Sequence, residues 1–449
     1  MPTIRLGAAT SWSRDRFGPA EDLVKRGELH YLCFDSMSEV TMSEAQVKKV
    51  ENPDIPGYDP YLEDRLSPII KECKEKGVRI ISNQGWLEPV PAAEKILDIA
   101  KSQGVNKIKV AAVNGGILTD KIADMGLRYL ETGELIANSR DSIVSAEAYL
   151  GAKQIVEALE NRADVVITTR IADSCLYLGP LAYEFKWSFE DWNSLARGTV
   201  VGHLMECGSQ VAGGYFADPG YKNVPDLANL GNPIAQVSED NICITKLPGT
   251  GGSVSTGTCK EQLLYEVQDS SSYLCPDVTV DLTSVKVKSG GKDRVEVTGG
   301  TGRPRPPTLK VLVGVREGYL AEEMVLFAGP GAMERAELAK SILLYRFQQI
   351  ELKVTEMRMD YVGINSIHME ASPLQSTPPY EVILRVAIKT NSIEEARKLR
   401  REIDPMAVNG PAATGKWAPI GNRVRPIVGL LSTLVPREEV STSVVYKEL

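Results

Sequence analysis

The feature that most constrains this chain is an alternation. From Ile4 to Thr168, short runs rich in β-branched and aliphatic residues recur with a helical pattern between them. The runs are Ile4–Ala8, Tyr31–Phe34, Val78–Ile81, Lys107–Ala111 and Asp164–Thr168. Between them, Tyr61 to Lys76 places Leu62, Leu66, Ile69, Ile70 and Cys73 at helical spacing, and Pro91 to Ser102 does the same with Ile96, Leu97 and Ile99. Gly77 and Gly104 stand just past these helices, where a C-terminal cap belongs. Strands that recur with a helix between them form a largely parallel sheet with flanking helices, so the fold class is α/β.

Further along, the texture changes. Residues 146–212 read as mainly helical. Beyond Leu230, Asp277 to Val287, Arg294 to Thr298, Leu309 to Arg316 and Glu381 to Lys389 alternate as strands, with helices at Ala332 to Arg346 and Ile393 to Arg401. Strands with segregated helices suggest an α+β part, with ferredoxin-like β-α-β units as one form of it. This places an α/β domain over residues 1–230 and an α+β domain over 231–449. At roughly 100–200 residues per domain, 449 residues accommodate that division.

Charge and cysteine usage exclude several partners. Lys and Arg total 51 against 59 Asp and Glu, a net charge of −8, and no basic block occurs, which argues against nucleic acid. The 7 cysteines are odd in number, far apart and without a C-x-x-C pair, as expected of reduced thiols in a cytoplasmic protein. No segment approaches the run of roughly 18 apolar residues of a membrane helix. A homo-oligomer is the default expectation for a metabolic protein of this size.

In a parallel sheet, chemistry collects beyond the carboxyl ends of the strands. Each candidate strand here ends in a polar or glycine-rich group: Thr10 to Arg16 ("TSWSRDR"), Asp35 to Glu39, Ser82 to Gly85 with Asn83, Asn114-Gly115-Gly116, and Thr169 to Asp173. Asp35 and Asp173 suit a hydroxyl or a hard cation, and Arg170 offers a fork for a carboxylate. A close approach of Asp35 and Asp173 would raise one pKa and make an acid–base pair. The structural alternative is that Asp173 caps the helix after it and Arg170 forms an ordinary ion pair.

A second cluster is Gly202 to Tyr221, "GHLMECGSQVAGGYFADPGY". If Val200 to Val211 is helical, His203 and Glu206 share one face, as an acid–base or metal pair requires. Tyr221 follows a turn signature and could donate into the same cleft. A third is "TKLPGTGGS", Thr245 to Ser253, which joins a strand to a helix through Gly249, Gly251 and Gly252 with Lys246 on the strand side. Successive glycine N–H groups cradle anions ahead of helix N-termini. Thr258-Cys-Lys-Glu261 reads as a capping box for that helix. No Walker, G-x-G-x-x-G or G-x-S-x-G pattern occurs, so neither a nucleotide nor a nicotinamide motif is present, and the cofactor stays open with a divalent metal as one option.

Six motifs in order, "VKRGELHYLCFDSMSEVTM", "GYDPYLEDRL", "VITTRIADSCLYLGPL", "GHLMECGSQVAGGYFADPGYK", "ITKLPGTGGSV" and "QLLYEVQD", resemble the acyclic terpene utilisation (AtuA-type) family. The first loop, "GAATSWSRDR", departs from the more glycine-rich segment of many bacterial relatives. The resemblance implies a catabolic role on branched or terpenoid carboxylic acids or their CoA thioesters. On that basis we expect a lyase or hydratase with Glu206, Asp173 and His203 as acid–base groups. Arg170, Lys246, Gly249, Gly251, Gly252, Asn114, Gly115, Gly116, Asp35, Asn83 and Tyr221 would hold the carboxylate or acyl-CoA substrate. Two alternatives stand beside it: a metal-dependent hydrolase using Asp35, Asp173, His203 and Glu206, and a non-catalytic acyl-CoA-binding or scaffold subunit.

Overall fold

The computed structural model describes residues 3–373, 377–417 and 424–449. Its centre is a parallel array in the order β1 (Ile4–Thr10), β2 (Tyr31–Phe34), β3 (Arg79–Ser82), β6 (Val165–Thr168), β4 (Lys109–Gly115). β5 (Ile143–Ala148) lies between β4 and β6 in sequence but outside this array. Antiparallel strands extend the array on both sides. β7 (Pro233–Val237) pairs with β1, β8 (Ile242–Lys246) with β7, Arg294–Thr298 with β8, and the C-terminal strand Thr442–Glu448 with β4.

The strand sequences explain why the array is covered twice. Tyr31 and Cys33 point to one core while Leu32 and Phe34 point to the other, and Ala111 and Val113 alternate in the same way with Val110 and Ala112. Side chains alternate faces along a strand, so near-continuous apolar runs specify a sheet buried on both sides. One face carries α1 (Gly18–Arg26), α3 (Leu62–Leu66), α4 (Ile70–Lys76) and α5 (Pro89–Ser102), while α2 (Thr41–Glu51) lies between β2 and α3 in sequence. The other carries α6 (Lys153–Glu160), α7 (Cys175–Phe185), α8 (Trp192–Met205) and α9 (Thr256–Leu264).

Several expectations shift in detail. The helix expected from Tyr61 to Lys76 is two helices, broken at Pro68, which has no N–H to continue the first. The helix expected to reach Val211 ends at Met205 and passes into a 3-10 turn at Gly208–Gln210. The capping box lies three residues earlier than expected: Ser255 caps α9 and Thr258 returns the bond. The second half of β5 falls in the stretch read as helical, and β7 was not anticipated.

Chain contacts divide the molecule into two compact units, residues 1–314 with 430–449, and residues 315–429. Residue 230 falls inside the first unit, just ahead of β7, which continues the same sheet. In the second unit the later part of strand Thr308–Ala328 pairs antiparallel with Glu381–Thr390 and with Gly415–Trp417, and Glu356–Val362 lies outside Glu381–Thr390. With α10 (Ala332–Gln349) and α11 (Ile393–Ile403) as its crossovers, this is the split β-α-β order of a ferredoxin-like sheet. Among the described residues no helix is long and apolar enough to cross a membrane.

Candidate active site

Four segments meet near the carboxyl ends of the parallel strands. Asp35 follows β2, Asn83 follows β3, Arg170 and Asp173 follow β6, and His203 and Glu206 end α8. α8 is drawn in by close packing on α7: a Cβ on Gly202 would stand 2.3 Å from the Ser174 carbonyl oxygen. Only glycine permits that approach, which brings Glu206 to the α7 N-terminus where Asp173 lies.

Arg170 is the centre of the group. Its side chain is 3% exposed, and among the described residues none of its three guanidinium nitrogens makes a hydrogen bond of standard geometry. The nearest anions are carboxylate oxygens of Asp173 and Glu39, each 3.8 Å away, beyond hydrogen-bond range. The Tyr149 ring lies 4.2 Å beneath the guanidinium and shapes a fixed platform for it. A buried guanidinium whose charge is balanced only at 3.8 Å and whose N–H groups make no hydrogen bond is unusual in a folded protein, and it marks a place where an anion or water completes the bonding.

Asp173 is the counterpart. Of the structural alternative, the cap is not realised, since α7 has no side-chain cap and Asp173 Oδ1 makes no hydrogen bond among the described residues, while the ion pair with Arg170 is present at 3.8 Å. Its side chain keeps 27% of its surface open. Burial raises its pKa to about 7 despite the opposing pull of Arg170, with Glu206 and Glu39 adding to the rise. Asp35 is 4% exposed and is also pushed well above the carboxylate range, first by burial and then by the charge of Asp173. Asn83 holds it in place: its Nδ2 donates to Asp35 Oδ1 at 2.7 Å while its Oδ1 accepts from the Ser36 N–H at 2.7 Å.

His203 Nδ1 lies 3.1 Å from Glu206 Oε1, as the shared helix face predicted. The ring is 1% exposed, Tyr273 packs on it at 5.2 Å, and Gln262 donates to its carbonyl at 3.0 Å. Burial opposes a charge on the ring, but Glu206 outweighs it and the pKa is raised. Enclosed by protein on these sides, His203 orients Glu206. Among the described residues no three His, Cys, Asp or Glu side chains converge as a cation would require, so the hydrolase alternative finds no ligand set there.

Among the described residues no hydrogen bond or ion pair joins the glycine loop to this group. Three of its N–H groups are committed to distant carbonyls: Gly251 donates to Asn229 at 2.7 Å, Gly252 to Pro225 at 2.8 Å and Ser253 to Ala212 at 2.7 Å. Lys246 Nζ donates to the Thr250 carbonyl at 2.7 Å and faces Asp293 at 3.6 Å. A Cβ on Gly251 would meet the Asp226 carbonyl at 1.8 Å, while Gly249 and Gly252 take positive φ. These contacts make the loop a packed crossing of main chains, and Lys246 is its internal tie. At the end of β4, where Asn114 and Gly115 are followed by Gly116, the Gly116 N–H donates to the Ser441 carbonyl and the Gly115 carbonyl accepts from the Thr169 hydroxyl. Tyr221 is 87% exposed on the turn that Asp218 and Lys222 close.

Sequence reasoning passed over Tyr149, Glu147 and Glu39 as individual residues. Glu147 is 3% exposed, its Oε1 has no partner, and burial raises its pKa to about 8 against the pull of Arg170. The available signal was the alternation of Ser145 and Glu147 along β5, which puts two polar groups on one inward face.

Comparison with curated proteins and with solved structures found no match for the chain. The model of the family described as acyclic terpene utilisation family protein AtuA matches residues 4–446, and the chain belongs to that family.

Proposed function

We propose that the protein is an enzyme of acyclic terpene utilisation that acts on a carboxylic acid or its CoA thioester by a lyase or hydratase type of reaction. The observation that carries this is Arg170: a buried guanidinium that makes no hydrogen bond among the described residues, beside a carboxyl group that holds its proton to about pH 7. Family membership supports the metabolic setting.

Elimination of water next to a thioester carbonyl needs three groups: a base for the α-proton, an acid for the departing hydroxyl, and a positive group at the oxygen that gains charge. Glu206, oriented by His203, suits the base. Asp173, protonated up to about pH 7, suits the acid. Arg170 suits the enolate oxygen or the carboxylate, and Asp35, held by Asn83, adds a second polar group near it. Because these groups are largely removed from water, each interaction is stronger than it would be at a surface.

The test is a panel of hydroxyacyl and enoyl CoA esters, followed by appearance or loss of the conjugated double bond. Turnover by the wild type with a loss of about 10²-fold or more in kcat for Arg170→Gln supports the assignment. Wild-type rates from Arg170→Gln and Asp173→Asn would remove it. Tight binding of the esters with no product anywhere in the panel would favour the scaffold alternative.

A further inference from the structure

Beside the charged cluster lies a cavity of about 710 Å³ that no catalytic group enters. We infer that it is the chamber for the apolar tail of the substrate, and that the protein selects amphipathic acids or thioesters with an extended hydrocarbon chain. The inference rests on the proposed site at Arg170 for the polar end of that ligand.

The cavity has an aromatic and aliphatic part, Trp12, Trp86, Tyr58, Tyr61, Val40 and Ile55, beside charged residues that include Arg14, Glu44 and Lys48. Ligand chambers of about 300–1,000 Å³ lined by such residues are the usual form of small-molecule sites. Three of the wall residues are exposed large hydrophobics, Trp12 at 49%, Val40 at 45% and Ile55 at 40%. Isolated exposed apolar residues are ordinary, but a group of them bordering one hollow marks a binding surface. The charges on the wall are partly cancelled, since Lys95 is paired with Glu63 at 2.6 Å.

The wall is held rigidly. Arg65 donates to the carbonyls of Ser13 and Asp15, both at 2.8 Å, and so fixes the loop that carries Trp12. Asp59 accepts from Ser13 and from Gln84, both at 3.0 Å, and ties the Tyr58–Tyr61 turn to the end of β3. Trp86 takes φ +43°, a left-handed conformation that bulky residues rarely adopt, and its indole N–H donates to Ser36 at 3.4 Å. Strain of that kind persists where surrounding structure holds a side chain to a task.

Continuity with the charged cluster comes from one segment. Residues 35–41 present Asp35 and Glu39 toward Arg170 and Asp173, and Ser38, Val40 and Thr41 toward the cavity. A ligand held by its acid end at Arg170 has this hollow as the neighbouring space for its chain.

The test is calorimetric titration of the full chain with butanoate, hexanoate, octanoate and decanoate. Burial of each methylene should tighten binding about fourfold, a few thousandfold over the series. Ile55→Asp, at an exposed position where folding is not at risk, should flatten the dependence on chain length, and Ala45→Phe should shorten the longest chain that still gains affinity. Affinity independent of chain length, or a series unchanged in Ile55→Asp, overturns the chamber. Arg170→Gln separates the two ideas: chain-length dependence that survives with overall affinity unchanged leaves the chamber standing and removes the reading of Arg170.

Discussion

Gly202→Ala sets two effects against each other. Within α8, alanine in place of glycine should stabilise the helix by about 1 kcal/mol through backbone entropy and propensity. Packing opposes this: the new methyl would lie 2.3 Å from the Ser174 oxygen and 2.6 Å from its Cα, about 1 Å inside ordinary contact. Both neighbours are main chain, so no rotamer change relieves the clash. Overpacking in a tight core costs about 1–3 kcal/mol, and a backbone-to-backbone clash belongs at or above the upper end of that range. The net expectation is a loss of about 2 kcal/mol, a fall of roughly 4 °C in the unfolding midpoint for a unit of this size. Moving α8 by about 1 Å also displaces Glu206 from Asp173, which should lower kcat about 10²-fold. Gly198→Ala is the internal control, since its nearest neighbour is the Leu178 Cδ1 at 2.5 Å, the far end of a side chain that can turn. Differential scanning calorimetry of both variants decides the matter. A Gly202→Ala protein as stable as wild type, with unchanged turnover, would refute the close α7–α8 contact as the device that assembles the site.

Other outcomes follow from the same geometry. Asp173 has a raised pKa of about 7; the folded state therefore binds more protons than the unfolded one between about pH 4 and 7, and stability falls as pH rises through that window. Asp173→Asn should match wild type near pH 4 and exceed it in stability at pH 8, and wild-type kcat should fall as pH rises through about 7; denaturant titrations and a pH–rate profile read the two effects. Glu147→Gln should behave alike with the window extended to about pH 8, gaining stability at pH 9. Lys246→Met should destabilise the glycine loop, by about 1–3 kcal/mol for the buried partners left behind, and leave the affinity for decanoate unchanged; a pure loss of affinity would restore the loop as an anion cradle.

The architecture was legible where burial is two-sided. Runs such as Tyr31–Phe34 and, within Asp164–Thr168, Val165–Thr168 announce themselves because every position is apolar or β-branched, and the structure uses them as inner parallel strands. β5 was hidden because its inward face carries Ser145 and Glu147, polar residues that mask the strand pattern. The polar groups at strand ends led to Asp35, Asn83, Arg170 and Asp173, and helical spacing led to His203 and Glu206, all of which the fold brings together. Spacing could not reveal that the glycines of residues 249–252 serve a crossing with residues 225–229, since that partner is distant in sequence and carries no motif. Nor could it reveal Tyr149 under Arg170, a contact set by where β5 ends.

The central claim is that Arg170 waits for the acid end of a ligand. A crystal structure of the protein with decanoate bound tests it most directly. The account predicts carboxylate oxygens about 2.7–2.9 Å from the guanidinium nitrogens, with the chain running past Ser38 into the aromatic cavity. A carboxylate bound elsewhere, with Arg170 still facing only Glu39 and Asp173, would contradict it.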